Sequence, residues 1–357
     1  MRSNKGIITL VVALSIAFSL ANADESAVWQ IHMQAAADAY ERGDYTEAEK
    51  QWIAALKQAE KFDSQDQRLA TNLNNLAALY YTQGRYDQAE PLLARALAIL
   101  EKTLGPNHLD VATDLNNVAL VYVAMGQYDK AEPLFERALA IWKRALGPDD
   151  SQVATGLNNL AGLYSAQGRY DKAEPLYKRA LMIVKENMGS GHPDVAASLN
   201  NLGSLYRVQG NYDKAVPLLE RALTIVVALL GTEHPDVATD LNNLALAYAG
   251  LGRYNEAEPL HKRAVVIWEN ALGPQHPQVA IGLNNLAGLY STQGKYVEAE
   301  PLYRRALIIW EQSVGKDHLD VAMVLENYAD LLRRTNRRIQ AEEMESRAQV
   351  IRAKHVH

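Results

Sequence analysis

Apolar residues recur along most of the chain with the spacing of amphipathic helices. Leu157, Leu160 and Tyr164 fall at positions i, i+3 and i+7, which is one face of a 3.6-residue period. A second apolar stretch follows after a break at Gly168 and includes Ala173. Glycine adopts a positive φ at little cost, so the break ends one helix and turns the chain into the next. The pattern predicts a pair of antiparallel helices as the structural unit.

This helix pair is repeated at a fixed interval. Residues 157–181 read LNNLAGLYSAQGRYDKAEPLYKRAL, and residues 283–307 read LNNLAGLYSTQGKYVEAEPLYRRAL, three periods of 42 residues later. A single unit cannot bury its apolar face alone, so a strict period of this length predicts an all-α solenoid of stacked helix pairs. In four of the repeats, a D-x-x-E or N-x-x-E pattern such as Asp171 with Glu174 is predicted to cap the second helix.

The regularity of the period divides the chain into segments. Residues 24–67 match the repeat loosely and lack its asparagine pair, which predicts a diverged N-terminal capping repeat. Six regular repeats follow over residues 68–320. Residues 321–357 are predicted to form a diverged C-terminal capping repeat, in which Asn336 replaces the turn glycine and Arg333 adds charge. A polar terminal repeat is what a solenoid needs in order to face water.

The first 23 residues differ from all that follow. Arg2 and Lys5 precede an uncharged, mostly apolar run at 7–20, and residues 21–23 have the small-x-small form of a cleavage site. These features predict a cleaved secretory signal. The alternative is a retained membrane anchor, but the 14 residues of the run make only about 21 Å of helix, short of a hydrocarbon core of roughly 30 Å. We expect an exported protein, periplasmic or secreted, with no stable transmembrane segment after cleavage.

The composition argues against several classes of function. The chain has no cysteine, which excludes disulfides, thiolate zinc sites and cysteine nucleophiles. Its 36 basic residues are spread through the repeats among 42 acidic ones, so no nucleic-acid partner is expected. No nucleophile elbow, phosphate-binding glycine loop or HExxH motif is present. Because every conspicuous polar group recurs in most repeats, we predict a protein that is not an enzyme and uses no cofactor or metal.

The repeat motif resembles a known family. The pattern L-x-x-L-A-x-x-Y at 157–164 and A-x-x-x-Y-x-x-A at 173–180 resembles the tetratricopeptide repeat, with leucine in place of its tryptophan. The 42-residue period, GRYDKAEPLYKRAL at 168–181 and G-x-x-HPD at 189–194 make the chain similar to the tetratricopeptide domain of kinesin light chains. That resemblance implies a right-handed superhelix whose first helices line a concave groove, where asparagines hold the backbone of a cargo peptide. The sequence has no heptad segment like the motor-binding coiled coil of kinesin light chains, so we transfer the surface and not the pathway.

The asparagine pairs are the candidate binding residues. With 100° per residue from Leu157, Asn159 lies at about 200°, away from the core residues, whereas Asn158 lies on the flank. A carboxamide can pair with both the N–H and the C=O of an extended peptide, whatever the peptide's side chains are. We therefore predict a peptide-binding groove with Arg207 as its main cation. The predicted site residues are Asn75, Asn117, Asn159, Asn201, Asn243, Asn285, Asn327 and Arg207.

Other interpretations of these features stay open. The asparagines could instead hydrogen-bond between neighbouring repeats and fix the twist of the stack. The predicted function is a non-enzymatic scaffold that binds extended segments of a partner protein. One alternative is a structural subunit of an envelope or secretion assembly that docks through its convex face, and a less favoured one is a ligand sensor or divergent enzyme.

Two further periodic sets are interpreted as structural. Arginines on the second helices are expected to pair with acids on an exposed face, where such pairs contribute about 0 to 1 kcal/mol. Histidines before the first helices are expected to shape turns, because sites about 10 Å apart in separate repeats cannot share a metal ion. The arginines are Arg95, Arg137, Arg179, Arg221, Arg263 and Arg305, and the histidines are His108, His192, His234, His276 and His318.

Overall fold

The computed structural model describes residues 23–354, so residues 1–22 of the predicted signal lie outside the described part of the chain. Residues 23–354 form sixteen α-helices and no strand. The helices are α1 (Ala23–Glu41), α2 (Tyr45–Ala59), α3 (Gln67–Thr82), α4 (Tyr86–Leu104), α5 (Leu109–Ala124), α6 (Tyr128–Leu146), α7 (Ser151–Ala166), α8 (Tyr170–Met188), α9 (Pro193–Val208), α10 (Tyr212–Leu230), α11 (Pro235–Gly250), α12 (Tyr254–Leu272), α13 (Pro277–Thr292), α14 (Tyr296–Val314), α15 (Leu319–Arg334) and α16 (Arg338–Ala353).

The helices are grouped into two compact units of four helix pairs each. The first unit contains α1 to α8 and ends at Gly189, and the second contains α9 to α16 and starts at Ser190. Inside each unit, every odd-numbered first helix packs against its own second helix, and that second helix packs against the next first helix. In the second unit, the first helices α9, α11, α13 and α15 also contact one another in order. The predicted all-α array of helix pairs is confirmed.

Glycine turns close the first helix of each pair. Gly168 adopts a φ of 73°, and the backbone N–H of Arg169 donates to the carbonyl of Tyr164 at 2.8 Å. This arrangement satisfies a carbonyl at the helix end and reverses the chain before α8. In the last pair, Asn336 takes the same role with a φ of 61°, and no other non-glycine residue among 23–354 has a positive φ.

From α3 onward, the start of each first helix is capped by a histidine or an aspartate. Nδ1 of His192 accepts the backbone N–H of Asp194 at 3.2 Å, and His108, His234, His276 and His318 do the same for the residue two positions further on. The predicted turn role of the histidines is confirmed, since each satisfies one of the free N–H groups of a helix start.

The D-x-x-E prediction is wrong in its geometry. The second helix α8 begins at Tyr170, its N-cap Arg169 makes no side-chain cap hydrogen bond, and Asp171 already lies in the first turn. An acid there is favoured by the positive end of the helix dipole rather than by capping. The glutamate of the pattern, which lies further into the helix, belongs to the contact between repeats described below.

Candidate functional site

The seven predicted asparagines differ in exposure between the two units. Those of the second unit, Asn201, Asn243, Asn285 and Asn327, are partly exposed, as the helical wheel predicts. Those of the first unit, Asn75, Asn117 and Asn159, are buried, with at most 5% of the side chain exposed. The helical-wheel prediction considers a single helix, so it does not include the neighbouring repeat, which covers this side of the first helices in the first unit. Among the seven predicted asparagines, therefore, only those of the second unit are open to solvent.

Three of the second asparagines bond to the preceding repeat. Nδ2 of Asn159 donates to Oδ1 of Asn116 at 2.8 Å. The same bond runs from Asn285 to Asn242 and from Asn327 to Asn284, at 3.0 Å in both. The alternative interpretation, in which the asparagines hydrogen-bond between neighbouring repeats, is thus confirmed for these three residues. Their oxygen atoms are not used in these bonds.

A different bond appears where an aspartate precedes the asparagine pair. Nδ2 of Asn74 donates to Oδ1 of Asp114 at 2.7 Å, and Asn200 donates in the same way to Asp240. Both carboxyl groups are buried, with 2% and 3% exposed. Burial raises the pKa of each to about 7, although the asparagine bond acts in the opposite direction. Because Asn200 bonds to Asp240, the bond that Asn285 makes to the preceding repeat has no counterpart at Asn243. The partly exposed amide of Asn243 makes no hydrogen bond within the described chain.

The size of a core residue decides which bond forms. A Cβ on Gly156 would lie 3.0 Å from the ring of Trp142, and a Cβ on Gly282 would lie 2.9 Å from the ring of Trp268. At these two sites the ring lies too close for the aspartate that Asp114 places at this position in its own repeat, and glycine stands there instead. Sequence reasoning missed this alternation, although the aspartates Asp114 and Asp240 stand three 42-residue periods apart.

A buried histidine joins the same network. His261 is fully buried where the corresponding positions carry Tyr177 and Tyr303. Its Nδ1–H donates to Oδ1 of Asn242 at 3.0 Å, and this oxygen also accepts from Asn285. Burial lowers the pKa of His261 to about 4, so the ring is neutral at pH 7. The signal in the sequence was a histidine at a repeat position that elsewhere holds leucine, phenylalanine or tyrosine, as at Leu219 of the preceding repeat.

In the second unit, small and apolar residues flank three of the open asparagines, Asn201, Asn243 and Asn285. On α11, the partly exposed residues Thr239, Asn243 and Leu246 follow one helical stripe. Equivalent stripes occur on α9 and α13. We call these nine residues the asparagine face: Ala197, Asn201, Ser204, Thr239, Asn243, Leu246, Ile281, Asn285 and Gly288.

The predicted cation Arg207 lies near the end of α9 and is partly exposed. Burial lowers its pKa, against the opposing effect of Tyr212. Its side chain has an interaction partner within the chain. Arg207 is therefore held at the C-terminal end of α9.

A polar contact joins successive repeats on the side of the second helices. Oε1 of Glu132 accepts the hydroxyl of Tyr164 at 3.0 Å, and its Oε2 accepts Arg169 of that next repeat at 2.7 Å. Glu49, Glu258 and Glu300 make the corresponding contacts with a tyrosine and a cation. We call this the Glu–Tyr–cation contact.

The arginines of the second helices also join repeats. Arg137 pairs with Glu101 at 2.7 Å, and Arg305 pairs with Glu269 at 2.5 Å. Arg95 pairs with Glu60 at 3.0 Å. All three pairs are accessible to solvent, so each contributes at most about 1 kcal/mol. Their predicted structural role is confirmed.

Within residues 23–354, no three His, Asp or Glu side chains are grouped so that they could hold a metal ion. No helix of this described part is long and apolar enough to cross a membrane.

Comparison with known proteins identifies the repeat. The tetratricopeptide repeat model matches overlapping stretches that together cover most of the chain. These are residues 30–102, 68–144, 110–186, 194–265, 241–307 and 278–352. Among curated protein sequences, none matches this chain.

Solved structures agree with this assignment. BtubC (BKLC) from P. vanneervenii is 26% identical, with 71% of this chain and 94% of that chain covered and a TM-score of 0.51. A Podosopora anserina protein described as a kinesin light chain with nearly identical TPR-like repeats is 30% identical, covering 58% and 97%, with a TM-score of 0.50. A Rap protein complexed with Competence and Sporulation Factor shares the fold at 16% identity, covering 94% and 99%, with a TM-score of 0.57. With its sixteen described helices in consecutive pairs and a repeat model matching nearly its whole length, the chain belongs to the tetratricopeptide repeat family.

Proposed function

We propose that this protein is a non-enzymatic interaction scaffold that binds an extended segment of a partner protein on the asparagine face of its second unit. The observation that carries the proposal is Asn243, which is partly exposed and has neither its acceptor nor its donors engaged by any residue of the range 23–354. An extended peptide offers a complementary N–H and C=O at each residue.

The neighbours of Asn243 support the same function. Asn285 uses its Nδ2 on Asn242, which leaves its oxygen to accept a peptide N–H. Ser204 and Gly288 stand beside the open asparagines and are small enough to let a peptide backbone approach. Recognition of backbone groups would make binding tolerant of partner sequence, with Leu246 and Ile281 providing apolar contacts for side chains. The signal-like residues 1–23 support action outside the cytoplasm.

The test uses two asparagines in nearly identical sequence contexts. Asn243 is partly exposed and Asn117, three repeats earlier, is buried with 4% exposed. A random-peptide phage library is selected on the purified chain, and the enriched peptides are measured by fluorescence anisotropy. Loss of one or two net hydrogen bonds predicts that Asn243→Ala weakens binding about three- to tenfold. Asn117→Ala should leave binding unchanged. Equal effects of the two changes, or none from Asn243→Ala, would contradict the proposed face.

Docking through the second helices is the competing function, and one observation favours it. Val266, Ile308 and Val350 occupy the same position on α12, α14 and α16 and are 50%, 50% and 54% exposed. Aligned exposed apolar residues are typical of surfaces that contact another protein. If Val266→Ser with Ile308→Ser abolishes binding of the selected peptides while Asn243→Ala does not, this outer stripe is the binding surface.

A further inference from the structure

The junction between the α3–α4 and α5–α6 pairs of the first unit departs from the regular repeat on the side of the second helices. An open cleft of about 370 Å³ lies between α4 and α6, with α5 as its floor. Val118 of α5 forms the floor, and Ala94 and Ala98 of α4 form one wall. This volume is within the range of pockets that accept a ligand or a large side chain. The cleft is lined mainly by apolar atoms.

The cleft exists because long side chains of the regular repeat are missing. The position of Ala94 holds Glu136 in the next repeat and Lys178 in the one after that. The position of Val118 holds Leu160 in the next repeat. Two shortened side chains, one on each side of the junction between the α3–α4 and α5–α6 pairs, therefore leave a depression at this junction.

The Glu–Tyr–cation contact is incomplete at the same place. Glu90 accepts the hydroxyl of Tyr122 at 2.9 Å, as Glu132 does from Tyr164. However, Gln127 stands where the flanking repeats carry Arg85 and Arg169. Within the described chain, Glu90 consequently has no arginine or lysine at ion-pair distance.

The flanking repeats show what this place accommodates. The guanidinium of Arg85 lies 4.1 Å from the ring centroid of Tyr80 and donates to Glu49 at 2.6 Å. Arg169 repeats this arrangement over Tyr164 at 4.3 Å. Lys130 lies over Tyr122 at 5.2 Å, as Lys172 does over Tyr164, but no arginine accompanies it. A carboxylate and an aromatic ring arranged for a guanidinium thus remain without one.

We propose that the α4–α6 cleft docks a partner segment that carries an arginine and, two residues later, a bulky apolar side chain. The arginine would lie over Tyr122 and pair with Glu90, and the apolar side chain would fill the cleft above Val118. Glu90 and Ala94 are one helical turn apart, which is about 6 Å along α4. Residues i and i+2 of an extended peptide project to the same side at about the same spacing. At the opposite end, Glu101 is neutralised by Arg137, so the charge that selects the partner is that of Glu90.

An open cleft favours a macromolecular partner over a small molecule. A small ligand here would keep much of its surface in water, whereas a side chain of a bound segment gains further contacts on either side of the cleft. The site lies in the first unit and is independent of the asparagine face. It would allow the scaffold to hold a second partner, or a second part of the same one.

The probes are three fluorescein-labelled pentapeptide amides: Gly-Arg-Gly-Phe-Gly, Gly-Glu-Gly-Phe-Gly and Gly-Arg-Gly-Ser-Gly. In the anisotropy titrations, the protein is added to a low, fixed concentration of each labelled peptide, and the affinity is taken from the saturation curve. Alanine-methyl NMR of Ala94 and Ala98 locates the bound peptide. Only the first peptide should give saturable binding with shifts at these methyls. Binding of the glutamate peptide with similar affinity, or no saturable binding of the arginine peptide, would overturn the proposal.

Two substitutions restore the regular repeat and should close the site without harming the fold. Gln127→Arg introduces the arginine of the flanking repeats, and Ala94→Glu introduces the residue found at Glu136. Each should lower the affinity for the arginine peptide at least about tenfold. Gln127→Arg does so because the peptide loses its charge-assisted bond to Glu90, and Ala94→Glu because the new side chain fills the cleft. Arg169→Gln in the next repeat and Asn243→Ala on the asparagine face are the matched controls and should leave the affinity unchanged. If both restoring variants bind the peptide as the parent chain does, the site is elsewhere.

Discussion

Replacing the buried aspartates Asp114 and Asp240 by asparagine should stabilise the protein in alkaline solution. Each carboxyl accepts one hydrogen bond, from Asn74 or Asn200, and its Oδ2 atom is buried without a partner. An asparagine keeps the accepting oxygen and has the shape of the protonated acid. The substitution therefore removes only the tendency of the group to ionise.

The size of the effect follows from the pKa of these groups. Burial raises it from 3.8 to about 7 in the folded chain. Between these values the folded state binds more protons than the unfolded state, so the free energy of unfolding falls as the pH rises from about 4 to 7. At about 1.4 kcal/mol per pKa unit, each aspartate destabilises the fold by up to about 4 kcal/mol above pH 7. Relaxation of the site and entry of water would reduce this value.

The assay is urea unfolding followed by circular dichroism between pH 4 and pH 8.5. The difference between the Asp114→Asn, Asp240→Asn double variant and the parent chain should be near zero at pH 4. It should grow with pH and level off above about pH 7.5. Asp129→Asn, at an exposed site, is the control and should show no such growth. A difference that does not change with pH would refute the assignment of buried, protonated carboxyl groups.

Two further predictions test the packing around the asparagine network. Gly156→Ala should destabilise the protein by about 1 to 3 kcal/mol in thermal melts, because the new Cβ meets Trp142. Gly162→Ala on the same helix is the control: its Cβ would make only a contact of 3.5 Å to Tyr177, so this change should be neutral or stabilising. Equal effects of the two substitutions would contradict the packing argument. His261→Tyr should stabilise more at pH 5 than at pH 8, because a histidine with a folded pKa of about 4 loses stability as the pH falls below about 6.5, and a gain independent of pH would show that burial of the ring is not the cause.

The periodic part of the structure could be predicted from the sequence, and the contacts between repeats could not. Spacing of apolar residues and of glycines such as Gly168 placed each helix pair, because both act within one repeat. The exposure of Asn159 depends on the repeat beside it, and its single-helix prediction was wrong. The role of Glu132 likewise depends on Tyr164 of the following repeat, so a local capping pattern was the wrong interpretation.

The departures from the repeat carry more information about function than the repeat itself. A residue present in most copies, such as the histidine cap His192 or the outer arginine Arg137, is explained by the needs of stacking. Stacking does not require Gln127 in place of arginine, nor Ala94 in place of a long charged side chain, because the flanking repeats form the Glu–Tyr–cation contact with the regular residues. A scaffold built from nearly identical units can distinguish one position from another only through such exceptions. Where two exceptions meet at one place, as at the α4–α6 cleft, a specific contact with another molecule gives a physical reason for both.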